Sequence, residues 1–82
     1  MKEVKTMIKI YTMQMCSDCV NLKEFCAEKN IKYEEMDIEN NFKAKAKMIA
    51  KGLEVVPVLE INNEIYIGDI EYLKGEIIKF ND

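Results

Sequence analysis

Two cysteines three positions apart, Cys16 and Cys19, frame the segment Met15-Cys16-Ser17-Asp18-Cys19 at a point where a β-like run gives way to a helical pattern. A helix that starts near Cys16 places that sulfur beside unpaired backbone N–H groups and the positive end of the helix dipole. Both favour the thiolate, which is the nucleophilic form of cysteine. Cys19 falls almost one turn further along, on the same side, within reach of the Cys16 sulfur. The spacing therefore predicts a polarity: Cys16 attacks a disulfide, and Cys19 resolves the mixed disulfide that results.

Three blander arrangements compete with a redox dithiol. A zinc site needs about four ligands, and the chain has no histidine and no second C-x-x-C. A disulfide that closes so short a loop constrains the unfolded chain weakly, so stapling is a poor motive. Two core cysteines remain possible until the surrounding pattern is read, because a C-x-x-C pair points to redox chemistry only within a β-α-β context. The third cysteine, Cys26, lies seven residues after Cys19 on the same stripe and reads as a small core side chain.

The elements around the pair supply that context. Met7 to Thr12 mixes β-branched and aromatic residues over a strand length, and Met13 to Met15 is a short loop. Val20, Leu22, Phe25 and Cys26 recur at helical spacing, giving a helix over about 16–29 closed by Lys29-Asn30. Ile31 to Ile38 alternates as a second strand, so the two strands pair in parallel with a right-handed crossover. Phe42 to Lys51 forms a second helix ended by Gly52, with Phe42, Ala46 and Ile49 toward the core and Lys43, Lys47 and Lys51 along a solvated face. An anionic substrate facing Lys47 or Lys51 is the sharper alternative. Val55 to Ile61 is a strand carrying Pro57, Asn62-Asn63 is a turn that tolerates positive φ, and Glu64 to Ile67 returns as its hairpin partner. Asp69 caps a last helix whose apolar positions are Ile70, Leu73, Ile77 and Phe80, with Gly75 a weak point inside it.

Bulk properties narrow the class. Eighty-two residues, 49% hydrophobic and 33% charged, suit one small globular domain rather than a disordered chain. The net charge of −3 gives no electrostatic footprint for nucleic acid. All twelve basic residues are lysine, so no arginine fork is available to grip a carboxylate or phosphate. Met1 to Lys9 lacks the apolar core of a signal peptide, and no apolar run approaches a membrane span. A reducing, cytoplasmic setting follows as the expectation.

The order β-α-β-α-β-β-α, with Cys16-Ser17-Asp18-Cys19 after the first strand, Val56-Pro57 at the third and Gly68-Asp69 before the last helix, resembles the glutaredoxin branch of the thioredoxin fold. The resemblance spans Met7 to Phe80 and implies one α/β domain over residues 1–82 with a four-stranded mixed sheet flanked by helices. It implies a thiol–disulfide oxidoreductase, reducing glutathione mixed disulfides and protein disulfides as a monomer, with glutathione as co-substrate and no tightly bound cofactor or metal. Cys16 would be the nucleophile and Cys19 the resolving thiol. Val56, ahead of a cis Pro57, would offer its backbone to the cysteinyl part of glutathione, and Pro57 would lie against the dithiol. Gly68 and Asp69 would meet the γ-glutamyl end, its carboxylate at the helix N-terminus and its amine at Asp69.

Departures from the family pattern fall mainly on glutathione recognition. A lysine common three residues before the nucleophile is Met13, the frequent C-P-Y-C is C-S-D-C, the threonine before Val-Pro is Val55, and a glycine pair is Ile67-Gly68. Asp18 adds a carboxylate that should oppose the thiolate by like-charge repulsion. Two alternatives stand beside the glutathione-dependent enzyme: a small redoxin reduced by thioredoxin reductase, and a dimer that binds an iron–sulfur cluster through Cys16 and glutathione.

Overall fold

The computed structural model describes residues 7–81. It runs β1 (Ile8–Thr12), α1 (Ser17–Glu28), β2 (Glu34–Asp37), α2 (Phe42–Ala50), β3 (Val58–Ile61), β4 (Glu64–Tyr66) and α3 (Ile70–Asn81). The strands form one sheet in the order β2-β1-β3-β4. β1 and β2 pair in parallel, Tyr11 opposite Met36, as a β-α-β crossover requires. β1–β3 and β3–β4 are antiparallel, with Tyr11 opposite Val58 and Leu59 opposite Tyr66. The expected element order and the mixed four-stranded sheet are both present.

Alternation along the strands divides the core into two layers. Ile8, Ile10, Leu59 and Ile61 project to one face and pack with Leu22 and Cys26 of α1 and Leu73 and Ile77 of α3. Tyr11 and Val58 project to the other face and meet Ala44 and Met48 of α2. The hairpin turns on Asn62 and Asn63, at φ 51° and 73°, the paired left-handed conformation that a two-residue turn needs. Among the described residues no helix is long and apolar enough to cross a membrane.

Three local expectations change. The second strand starts at Glu34, not near Ile31. Ile31 is instead buried below the end of α1, its N–H donating to the Cys26 carbonyl at 2.8 Å after Asn30 turns the chain at φ 57°. The third strand starts at Val58, after Pro57 rather than across it. Val20 of α1 is exposed, so the buried stripe is Cys19, Leu22 and Cys26.

The largest correction concerns α2. Phe42 and Ile49 face solvent, and the inward side chains are Ala44 and Met48. Lys47 lies between them at the i, i+3, i+4 spacing of one helix face. It does not lie free on a solvated face: half-buried, it places its ammonium 2.9 Å from both carboxylate oxygens of Glu60 on β3.

Candidate active site

The C-terminal end of β1, the N-terminal end of β3 and the C-terminal end of β4 lie at the same end of the sheet, as the antiparallel pairings dictate. The loop that leaves β1 carries Cys16, the segment that enters β3 carries Val56-Pro57, and the segment that leaves β4 carries Gly68-Asp69. Four of the six sequence-predicted residues thus reach that end of the sheet from loops, and the two cysteines reach it from the N-cap and first turn of α1.

Cys16 is the N-cap of α1, in extended conformation at φ −115° and ψ 104°. Its carbonyl accepts the first helical bond from the Val20 N–H at 3.1 Å. Its Sγ accepts the Cys19 N–H at 3.1 Å, the place an N-cap oxygen ordinarily takes. A sulfur that receives a backbone donor and the positive helix end is one on which negative charge is stabilised. Cys19 is 1% exposed while Cys16 is half-buried. The two are joined as a disulfide with a Cα–Cα separation of 5.2 Å.

The loop before the dithiol is fixed at two points. Met15 stands at φ 58°, fully exposed, and the Gln14 N–H donates to Glu39 Oε1 at 2.8 Å. Behind it, Thr12 is buried at the end of β1 and its hydroxyl donates to Glu35 Oε2 at 2.8 Å. Lys23 of α1, one turn beyond Cys19, reaches the same oxygen at 2.9 Å. The Lys23 ammonium, with help from Thr12, holds the Glu35 carboxyl below its ordinary range, and Glu35 in turn raises Lys23. This triad ties β1, β2 and α1 together just under the dithiol.

On the β3 side the Val56–Pro57 peptide bond is cis, as expected, with Pro57 buried and Val56 half-buried. No backbone hydrogen bond within the described residues engages the N–H or C=O of Val56. On the β4 side, Asp69 caps α3: its Oδ1 accepts the Tyr72 N–H at 2.9 Å and its carbonyl accepts the Leu73 N–H at 3.1 Å. Gly68 has a physical reason that the sequence hid. A Cβ there would lie 2.6 Å from Cδ2 of Tyr72, whose ring is folded back onto the glycine.

Two further features escaped the sequence reading. The Tyr11 hydroxyl donates to Glu60 Oε1 at 2.6 Å, beside the Lys47 contacts. Burial works against charge on Glu60, yet Tyr11 and Lys47 hold its carboxyl below the ordinary range. Glu60 was legible only as one polar residue in a strand. Cys26, by contrast, is the core side chain expected: fully buried, with burial pushing its thiol up to about 11. Among the described residues no group of three or more Cys, Asp or Glu side chains is placed to hold a metal ion.

Comparison with known proteins gives concordant results. The Glutaredoxin family model matches residues 8–66. Glutaredoxin 1 of Rickettsia felis is 36% identical over 75 residues, covering 88% of this chain and 72% of that protein. An uncharacterised glutaredoxin-like 8.6 kDa protein in the rubredoxin operon of Clostridium pasteurianum is 32% identical over 74 residues, covering 89% and 95%. Among solved structures, the thioredoxin-like protein BC3987 superposes with a TM-score of 0.72 at 31% identity, covering 83% of this chain and 96% of that one.

Proposed function

The chain belongs to the glutaredoxin family, and on that premise we propose that it is a glutathione-dependent thiol–disulfide oxidoreductase acting on glutathione mixed disulfides and protein disulfides. The observation that carries this reading is the asymmetry of the pair: Cys16 caps α1 with its sulfur on a backbone donor, and Cys19 is buried behind it. In the reduced protein the Cys16 thiolate attacks the glutathione sulfur of a mixed disulfide. A Cys16–glutathione disulfide forms, and the substrate leaves as a thiolate that takes its proton from water. A second glutathione thiolate then attacks the bound glutathione sulfur, which yields oxidised glutathione and restores the Cys16 thiolate. With a protein disulfide, Cys16 forms the mixed disulfide and Cys19 displaces the substrate thiolate. The oxidised pair that results is the state in this structure, and two glutathiones reduce it.

The dimensions suit a tripeptide. Strands lie about 4.8 Å apart, so the two steps from β1 to β4 span about 10 Å. Three extended residues reach about 10 Å. A glutathione bonded to Cys16 would then run past Val56 and Pro57, with the free Val56 backbone groups available to its cysteinyl part, and end at Gly68 and Asp69. One chain holds both thiols, so the proposed cycle needs no second subunit, and the proposed setting is a monomer in a reducing compartment such as the cytoplasm.

A second reading, reduction by thioredoxin reductase, draws on Met13 where a cation would help hold glutathione, and on the likeness to a thioredoxin-like protein. A paired turnover assay separates them. One arm supplies glutathione, glutathione reductase and hydroxyethyl disulfide, and the other supplies thioredoxin reductase and insulin. Turnover in the first arm supports the proposal. Turnover in the second alone transfers it to the alternative.

A further inference from the structure

We propose that Tyr72 is a specificity-determining residue of the dithiol groove, narrowing its glutathione end and offering an apolar wall to polypeptide disulfides. The inference rests on the glutathione groove proposed above. Tyr72 is the third residue of α3, and side chains in a helix lean toward its N-terminus. Its ring therefore lies over Gly68, the point at which the bare backbone would otherwise be open to a ligand. The contact is close: a Cβ at position 68 would lie 2.6 Å from Cδ2 and 3.3 Å from Cγ and Cε2, so a side chain there would require the half-exposed ring to move aside. Gly68 is not held at positive φ. Its lack of a side chain lets the Tyr72 ring lie against the backbone in this position.

The helix end is also partly taken. The Asp69 carboxylate already accepts the Tyr72 N–H, one of the free donors that an arriving carboxylate would use, and Glu71 in the same turn adds a negative charge with Lys74 4.0 Å from it. A γ-glutamyl end arriving at Gly68 and Asp69 must therefore share the helix terminus with the Tyr72 ring and with a donor that Asp69 already engages. The ring itself is 46% exposed, and Ile67 and Val55 are exposed on the segments that flank the same groove. An aromatic face beside two aliphatic side chains fits an apolar residue next to a substrate cysteine better than it fits a charged tripeptide end.

The test compares wild type, Tyr72→Ala and Tyr72→Phe on two substrates, with kcat/KM determined for each. Hydroxyethyl disulfide with glutathione and glutathione reductase measures the first, and insulin reduction driven by dithiothreitol measures the second. Tyr72→Ala should raise the ratio of the first kcat/KM to the second about fivefold or more, mainly through opposite shifts in KM. Tyr72→Phe, which keeps the ring, should keep the wild-type ratio. An unchanged or lowered ratio in Tyr72→Ala, with wild type active on both substrates, overturns the role of Tyr72 and leaves the glutathione reading standing. Absence of glutathione turnover in all three proteins overturns both. Circular dichroism of each variant confirms that α3 is intact.

Discussion

Replacing Lys47 by methionine keeps most of the aliphatic stem that packs beside Ala44 and Met48 and removes the cation hydrogen-bonded to Glu60. The Glu60 side chain is 3% exposed, so its charge is left with the Tyr11 hydroxyl and little water. Removing one partner of a buried pair costs about 3–5 kcal/mol. Lys47 is itself 37% exposed, and water can follow it in, so a loss of about 2 kcal/mol is expected. At about 4–8 °C per kcal/mol for a domain of this size, the midpoint should fall by about 8–16 °C. The pH dependence distinguishes this cause from simple packing loss. In the wild type the folded Glu60 pKa is lowered, so its stabilisation is complete above the ordinary carboxylate value and is lost as pH falls through the folded value. In Lys47→Met the buried carboxyl is raised instead, so the folded protein binds the extra proton and gains stability as pH falls. The gap between the two proteins should therefore narrow below about pH 5. Thermal unfolding by circular dichroism at pH 7, 5 and 4 measures it. Equal midpoints at pH 7, or a gap that does not change with pH, would refute the reasoning.

Three further outcomes are expected at the thiols. Cys16→Ser should abolish thiol transfer in both assays, while Cys19→Ser should lose insulin reduction yet retain turnover of glutathione mixed disulfides, because a second glutathione can resolve the intermediate; equal residual activities would overturn the assigned roles. Asp18 lies exposed in the first turn of α1, so Asp18→Asn should remove a like charge near the Cys16 thiolate and speed its alkylation by iodoacetamide at neutral pH by about twofold, a small factor because water screens surface charges. An unchanged rate–pH profile would show that the carboxylate plays no part in tuning the thiol. Cys26, with its thiol pushed up to about 11 by burial, should stay unmodified at pH 8 in the reduced native protein while Cys16 reacts, and should label fully in urea; mass mapping that finds Cys26 labelled alongside Cys16 would contradict its burial.

The features legible in the sequence are those whose determinants are neighbours in the chain. The C-x-x-C at a strand-to-helix junction, the Asn62-Asn63 turn, the Asp69 cap and the buried Cys26 each follow from residues a few positions apart. What the sequence concealed depends on partners far along it. Tyr11 and Glu60 are 49 positions apart, and Lys47 reaches Glu60 from another element. A periodicity argument assigns every lysine to water and every Phe or Ile to the core. On α2 that logic chose the wrong face, because a buried carboxylate on β3 needs a cation and the helix must turn Lys47 inward to supply it. Ala44 and Met48, adjacent on that face, then become the buried apolar pair, and Phe42 and Ile49 are carried into solvent. The same principle governs Gly68. The family resemblance implies a ligand meeting the backbone there. In the fold the nearest approach is made by the chain itself, through the Tyr72 ring. A glycine just ahead of a helix therefore marks a close contact without saying whether a ligand or a side chain makes it, and the Tyr72 variants proposed above decide between the two at this position.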